Sequence, residues 1–346
     1  ILIFISVGNF NDTSLMELLI DDYHKDHDYP EFFYKLDSES PLHECKNTNI
    51  CSPSDSLNNL SIGALAGNLE NEDNSDITPF SIYPAYYTRK FHFDYDQKLN
   101  TTAFKQNQKN KHLNKPDLVF DGGDLLNEDS GIEVLRNEGE YFTRTTGTSL
   151  SSPLVASMAA EIMALYPKLD VQSIKAVLIN SATFHKSKLL PHFKDKKVLL
   201  KKLTGFGIPD KQKALGSDDN SITMIIEDQI ESSEILSIPI FLPEYLKTSN
   251  NKLIFNITLA YNFQPDKGNH LGYLPLHISF NLVKNIGIDE IADKNADEVG
   301  IKKTFSWSED HHGKENRLFS NTQKKEYRLQ PKSSKKPSDF EKLNNE

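Results

Sequence analysis

Apolar runs and amphipathic stretches alternate along the N-terminal part of the chain. Three short runs rich in Ile, Leu and Val predict buried β-strands at Ile1–Val7, Ser61–Ala66 and Leu118–Phe120. Helical patterns follow at Ser152–Tyr166 and Val171–Asn180. Strands that alternate with helices favour an α/β domain whose mostly parallel sheet is flanked by helices.

From Ser221 the hydrophobic pattern changes to a period of two residues, which is typical of antiparallel strands. The predicted strands are Ile222–Ile226, Ile235–Phe241, Leu253–Tyr261 and Leu274–Val283. We therefore expect the α/β domain to occupy residues 1–217 and a small antiparallel β-sandwich to occupy residues 218–285. Residues 286–346 are polar, and we interpret them as a partly disordered tail or as truncated last strands such as Lys325–Leu329.

Composition narrows the class of protein. The 346 residues include 39 basic and 49 acidic side chains, and the net charge of −10 argues against a nucleic-acid partner. Cys45 and Cys51 are too few for a disulfide framework, and the apolar runs are shorter than the ~20 residues that cross a bilayer. We find no phosphate-binding glycine loop, paired Cys-x-x-Cys or His-Glu-x-x-His. The composition therefore predicts a soluble globular protein.

The most informative segment is Thr146–Ala156, where small residues lead directly into a predicted helix. A hydroxyl at Ser149 would lie beside unpaired backbone N–H groups, which can stabilise an oxyanion formed by attack on a carbonyl. The following stretch, Pro153–Tyr166, is apolar on nearly every face until Glu161, so we expect a helix that runs through the middle of the domain. The alternative is that Ser149, Ser151 and Ser152 only cap this helix, a frequent role of serine.

The order Gly-Thr-Ser-x-Ser-Ser-Pro-x-Val-Ala, which begins at Gly147, resembles the nucleophile signature of the subtilisin-like serine proteases, the subtilases. This resemblance implies that Ser149 is a catalytic nucleophile. Ile3–Asn9 resembles the family's buried strand that ends in Ala-Gly-Asn, and it implies that the Asn9 side chain donates to the oxyanion. By the same resemblance, Gly8, Ser6 and Gly63 would border the substrate pocket.

Three more segments resemble the family in the same order along the chain, and they lie at Asn59–Ala64, Lys115–Val119 and Leu203–Asp210. Together these resemblances imply a subtilisin-like fold over the first domain. One departure is Asp121, which stands where the family has a proline. The other is the Phe-Asn-Asp that follows Asn9 in place of a glycine-containing turn.

The resemblance also implies a catalytic Asp and His, and in the subtilisin order both precede the oxyanion Asn. Only eight residues precede Asn9, and none of them is Asp or His. Because Ile1 opens directly in a predicted buried strand, we interpret the chain as an N-terminally truncated fragment whose triad partners lie upstream. We expect the fragment alone to be inactive.

Long polar segments, which include the predicted surface insertions at residues 21–59 and 94–115, contain histidines that could in principle act as a catalytic base or a metal ligand. We interpret these histidines as solvated surface residues. His24 and His27 lie in a charged run that is typical of a solvated surface. His311 and His312 lie in the polar C-terminal region and are interpreted in the same way.

The sequence therefore favours a serine endopeptidase that acts on polypeptides, without nucleic-acid or membrane partners and without a cofactor. The family resemblance allows calcium, although no calcium ligand is located. The alternative is a pseudoprotease that binds proteins without cleaving them. Few cysteines fit a cytoplasmic protein without excluding a secreted one, and neither the compartment nor the oligomeric state follows from the residues.

Overall fold

The fold is described from a computed structural model of the chain. It describes residues 1–10, 29, 49–67, 78–91, 115–124, 130–137, 139, 141–183, 191–193, 197–231, 234–240, 253–264, 276, 278–282, 307–308 and 321–329.

A parallel three-stranded sheet forms the centre of the first domain, as the apolar runs predict. Its strands are β1 (Phe4–Ser6), β2 (Leu60–Leu65) and β3 (Leu118–Asp121), in that spatial order. Every residue of β2 is buried because β2 is the central strand. The carboxyl ends of the three strands lie at one edge of the sheet, so the residues that follow each strand are brought together there.

An antiparallel hairpin follows, which the apolar pattern did not predict. It pairs β4 (Ile132–Leu135) with β5 (Phe142–Thr145), and α1 (Thr148–Leu165) begins three residues after it. The other described helices are α2 (Val171–Ser181), α3 (Lys197–Thr204) and α4 (Lys211–Leu215).

Helix α1 covers all three strands of the parallel sheet. Its buried residues recur every three or four positions, so they form one face: Thr148, Ser151, Ser152, Val155, Ala159 and Ile162. Against the expectation of a helix that runs through the middle of the domain, Pro153 and Ala160 are exposed, and so, beyond Glu161, are Met163 and Leu165. By length and composition α1 could cross a membrane, a test that the core helix of a soluble protein also passes.

The predicted β-sandwich is not confirmed. The described C-terminal residues form one antiparallel sheet, in which β6 (Leu253–Ala260) and β7 (Trp307–Ser308) flank β8 (Thr322–Leu329). The central strand β8 comes from the region interpreted as tail or truncated strands. Residues 222–226 and 235–240 are in no strand, and Ile222 is 80% exposed. A period of two residues indicates which side chains could share a face, but it does not indicate whether a partner strand is present.

Buried polar side chains at the C-terminal sheet make hydrogen bonds to α2 and to other parts of the first domain. Lys324 Nζ donates to the carbonyl oxygens of Ile179 (3.0 Å), Asn180 (2.8 Å) and Ala182 (2.6 Å). These carbonyl oxygens lie in the last turn and at the C-cap of α2, where the Ile179 oxygen also accepts from the Ala182 N–H. Asn321 Nδ2 donates to the carbonyl oxygens of Leu57 (3.2 Å) and Tyr261 (3.0 Å). The sheet and the first domain are thus joined by specific hydrogen bonds.

We expect Asn321→Ala to destabilise the protein by about 1–3 kcal/mol, because it removes the hydrogen bonds that Asn321 Nδ2 makes to buried carbonyl oxygens. Chemical denaturation measures the change in the free energy of unfolding. The matched control is Asn256→Ala, whose side chain is on an exposed position of β6. Equal stability of the two variants would contradict the docking role of Asn321.

A buried lysine predicts a pH-dependent stability. Lys175 on α2 is fully buried, and its Nζ donates to the Leu57 carbonyl oxygen at 2.8 Å. Burial lowers the pKa of Lys175 to about 7, while Asp117 acts to raise it and Lys115 to lower it further. An unfolded lysine has a pKa of about 10.4, so between pH 7 and 10 the unfolded state binds more protons and this residue makes stability rise with pH.

Lys175→Met should therefore raise stability most below pH 7, relative to the original protein, and less as the pH increases to 9. Denaturation at a series of pH values measures this difference. Lys213→Met, at a side chain that is 56% exposed, serves as the control. A difference for Lys175→Met that does not change with pH would contradict the assigned cause.

Candidate active site

Ser149 lies at the start of α1, at the same edge of the parallel sheet as the end of β1. The helix begins at Thr148 after the N-cap residue Gly147, which has no side chain of its own to cap the helix. Ser149 is therefore inside the first turn, so the alternative that it caps the helix is wrong. Its side chain is exposed, and its hydroxyl has no hydrogen-bond partner among the described residues.

The side chain of Asn9, just after β1, is bound to the first residue of this helix. Its Oδ1 accepts from the backbone N–H of Thr148 at 2.9 Å and from Thr148 Oγ1 at 2.8 Å. A backbone N–H can only donate, so the atom it meets is the amide oxygen. The amide nitrogen, Nδ2, then points away from Thr148 and keeps both of its hydrogens available within the described part of the chain.

Gly147 leaves a small open space between these two groups. A Cβ atom at this position would lie 3.1 Å from Asn9 Nδ2 and 3.2 Å from Ser149 Oγ, and the backbone φ of +155° is one that side-chain-bearing residues rarely adopt. Asn9 Nδ2 and Ser149 Oγ therefore border the same space. When a hydroxyl in this position attacks a carbonyl carbon, the neighbouring donor can stabilise the negative charge that develops on the carbonyl oxygen.

Gly122, the first of two glycines after β3, binds the short segment that precedes Ser149. The N–H of Gly147 donates to the Gly122 carbonyl oxygen at 3.0 Å. The buried hydroxyl of Tyr87 lies 2.7 Å from the same oxygen and 2.8 Å from the Gly123 carbonyl oxygen, so its single proton is shared between these two acceptors. Burial holds the pKa of Tyr87 well above its usual value, so this hydroxyl stays a donor. Ser151 Oγ donates to the Asp121 carbonyl oxygen at 3.0 Å, which ties α1 to the end of β3.

Asp121, which stands where the family resemblance predicts a proline, places a partly buried carboxyl group directly before Gly122 and Gly123. Burial raises the pKa of Asp121. Its carboxyl occupies the space beside Gly67, where a Cβ atom would overlap with Oδ1. A side chain at position 67 would therefore displace this carboxyl.

The three residues expected to border a substrate pocket lie in different surroundings. Ser6 ends β1 and is half-buried, and Gly8 is half-buried with Cys51 and Arg89 against it. Gly63 lies inside the fully buried strand β2, and the position of its absent side chain is enclosed by Val119, Pro116 and Thr88. Thus Ser6 and Gly8 are close to Asn9 along the chain, whereas Gly63 lies in the interior.

No base adjoins Ser149 among the described residues. His192 is the one histidine in that part of the chain, and its Nδ1 is 2.8 Å from the Tyr83 hydroxyl, within a cluster of aromatic rings. The candidates His24, His27, His311 and His312 lie outside the described residues, as does Cys45. Cys51 is a free, exposed thiol. The described part of the chain holds no group of three or more His, Cys, Asp or Glu that could bind a metal ion.

Sequence reasoning missed residues that support the candidate site, and two of them lie outside every motif. Tyr87 and Arg89 lie in residues 78–91, a segment without a recognisable motif, and Arg89 Nε donates to the Asn9 carbonyl oxygen at 3.0 Å. A third, Thr148, stands within the signature, but its two hydrogen bonds to Asn9 depend on the folded chain.

Comparisons with known proteins cover most of the first domain. The model of the subtilase family matches residues 1–214. The uncharacterized protein y4bN of Sinorhizobium fredii is 30% identical over an alignment of 187 residues, which covers 49% of this chain and 43% of that protein.

Two solved structures resemble parts of the fold at 16% sequence identity. A protease from Pseudoalteromonas arctica has a TM-score of 0.29, covering 47% of this chain and 37% of that one. A periplasmic assembly from the ESX-5 inner membrane complex has a TM-score of 0.32, covering 70% of this chain and 45% of that one. The chain thus spans less than half the length of each of these three proteins.

Proposed function

Because the chain belongs to the subtilase family, we propose that the protein is a serine endopeptidase with Ser149 as nucleophile and Asn9 as an oxyanion donor. The observation that carries this proposal is the common space that Asn9 Nδ2 and Ser149 Oγ border at Gly147. A proteolytic site needs a hydroxyl and preorganised donors aimed at the oxygen that becomes negatively charged.

In the proposed reaction, Ser149 Oγ attacks the carbonyl carbon of the scissile peptide bond. Its proton passes to a histidine supplied from outside the described residues, since serine is a weak nucleophile without such a base. The oxyanion accepts hydrogen bonds from Asn9 Nδ2 and from the backbone N–H of Ser149. Collapse of this intermediate expels the protonated amine and leaves an acyl group on Ser149, and water then releases the acid.

The second candidate is a pseudoprotease that binds polypeptides without cleaving them. It is motivated by His192, the one histidine in the described part of the chain, which lies against Tyr83 in an aromatic cluster and makes no hydrogen bond to Ser149. A binding module, however, needs neither the positive-φ glycine at position 147 nor an amide held with its N–H groups towards a hydroxyl. These two features therefore support the endopeptidase.

We expect the full-length protein to hydrolyse peptides and to react covalently with a fluorophosphonate probe, and we expect Ser149→Ala to abolish both. Labelling on a gel and a fluorogenic peptide assay measure the two properties. The control is Ser157→Ala, an exposed serine on the same helix that should leave both unchanged. Undiminished labelling of Ser149→Ala would refute the assignment of the nucleophile, and a full-length protein that binds peptides without cleaving them would favour the pseudoprotease.

Thr148 should act by orienting the Asn9 amide. Thr148→Val keeps the shape of the side chain but removes one of the two donors to Asn9 Oδ1, and loss of one such hydrogen bond should lower kcat about five- to tenfold. KM should change little, because the oxyanion forms only after the substrate has bound. Steady-state kinetics measure both constants. Thr148→Ser keeps the hydroxyl and should retain most of the activity; equal losses in the two variants would contradict a specific role of the hydroxyl.

A further inference from the structure

The backbone of Asn9 is held by a side chain that belongs to no family motif. Arg89 Nε donates to the Asn9 carbonyl oxygen at 3.0 Å, and its Nη1 donates to the Asn49 carbonyl oxygen at 3.0 Å. The side chain is half-buried and lies against Gly8, where a Cβ atom would be 3.2 Å from Arg89 Cδ. A glycine at position 8 therefore lets the guanidinium approach the backbone at the end of β1.

Two neighbouring segments hold the same stretch of backbone. On one side, the Cys51 N–H donates to the Val7 carbonyl oxygen at 3.1 Å. On the other side, the Phe10 N–H donates to the Tyr87 carbonyl oxygen at 2.7 Å. Arg89 joins the two sides, because it follows Tyr87 by two residues and reaches across to Asn49. The peptide group between Asn9 and Phe10 is thus bound at its oxygen and at its nitrogen.

The position of Asn9 Nδ2 depends on both ends of the residue. Two rotatable bonds separate the backbone from the amide, so a fixed amide oxygen alone does not define where Nδ2 lies. Thr148 binds the amide oxygen, and Arg89 binds the backbone carbonyl oxygen. A donor to an oxyanion must be held within about 0.5 Å of its productive position to be effective.

The chemistry of arginine suits this position. A guanidinium presents several N–H donors in a rigid plane, so one side chain can bind two carbonyl oxygens at once. Hydrogen bonds from a charged donor are also stronger than those between neutral groups. A lysine at this position has a single flexible donor atom and would hold the two segments less firmly.

We propose that Arg89 is a positioning residue that fixes the Asn9 amide for oxyanion stabilisation. This inference rests on the proposed function, because it assigns a role within the same site. Arg89 does not touch the reacting atoms in this role; it acts through the Asn9 backbone.

The test is a double-mutant cycle in the full-length protein, with Arg89→Met, Asn9→Ala and the combination of the two. Arg89→Met should lower kcat about tenfold with KM nearly unchanged, and Asn9→Ala should lower kcat about 10²–10³-fold. In the combined variant, the Arg89 substitution should have little further effect, because the amide that it positions is absent. Arg89→Lys should give an intermediate kcat.

The non-additive result separates positioning from a general structural role. A purely structural effect of Arg89→Met would multiply with that of Asn9→Ala, and such multiplication would overturn the proposal, as would an unchanged kcat in Arg89→Met. The control is Arg328→Met, at an exposed arginine of the C-terminal sheet that pairs with Glu326. It should leave kcat unchanged.

A second readout does not depend on activity. In protein with ¹⁵N-labelled asparagine, the Asn9 side-chain amide signal, identified by its loss in Asn9→Ala, should shift or broaden in Arg89→Met and stay in place in Arg328→Met. An unmoved signal in Arg89→Met would overturn the positioning role. If Ser149→Ala retains activity while the Asn9 signal moves as expected, the proposed function fails and the structural action of Arg89 on Asn9 stands.

Discussion

The two hydrogen bonds between Asn9 Oδ1 and Thr148 connect the end of β1 to the start of α1, and the candidate site depends on them. The two residues are 139 positions apart, so only the folded sheet brings them together. In a parallel sheet, the segments that follow the strands gather at one edge, and here the first turn of a helix packed on that sheet reaches the same edge. Because these bonds occupy the amide oxygen of Asn9, its nitrogen is left to face Ser149.

Other contacts at this edge limit the movement of the two groups. The Gly122 carbonyl oxygen accepts from the Gly147 N–H and from the Tyr87 hydroxyl. A buried tyrosine therefore supports the segment that precedes Ser149. On the opposite side, Arg89 and the neighbouring segments hold the backbone of Asn9. Ser149 and Asn9 are thus held from separate directions by side chains that take no part in the proposed reaction. Such support is what a preorganised site requires.

The C-terminal sheet illustrates the limits of reading hydrophobic patterns. Lys324 and Lys325 lie in a polar stretch that we interpreted from the sequence as a tail or a truncated strand. In the structure both residues are almost completely buried in the central strand β8. Burial is tolerated because Lys324 Nζ finds three carbonyl oxygens at the end of α2. Conversely, the apolar residues Ile222 and Met224 are exposed although their pattern predicts a strand. Polar groups that become buried by pairing cannot be identified from hydrophobicity alone.

The sequence by itself determined the parallel α/β character of the first domain, the family, and the two principal candidates, Ser149 and Asn9. These follow from short apolar runs and from the order of residues in local motifs, both of which are properties of contiguous chain. Only the tertiary structure decided that Thr148 orients the Asn9 amide, that Tyr87 and Arg89 support the site, and that β8 is a central strand. The physical reason is that each of these roles depends on hydrogen bonds between residues far apart in sequence, whose partners no local pattern specifies.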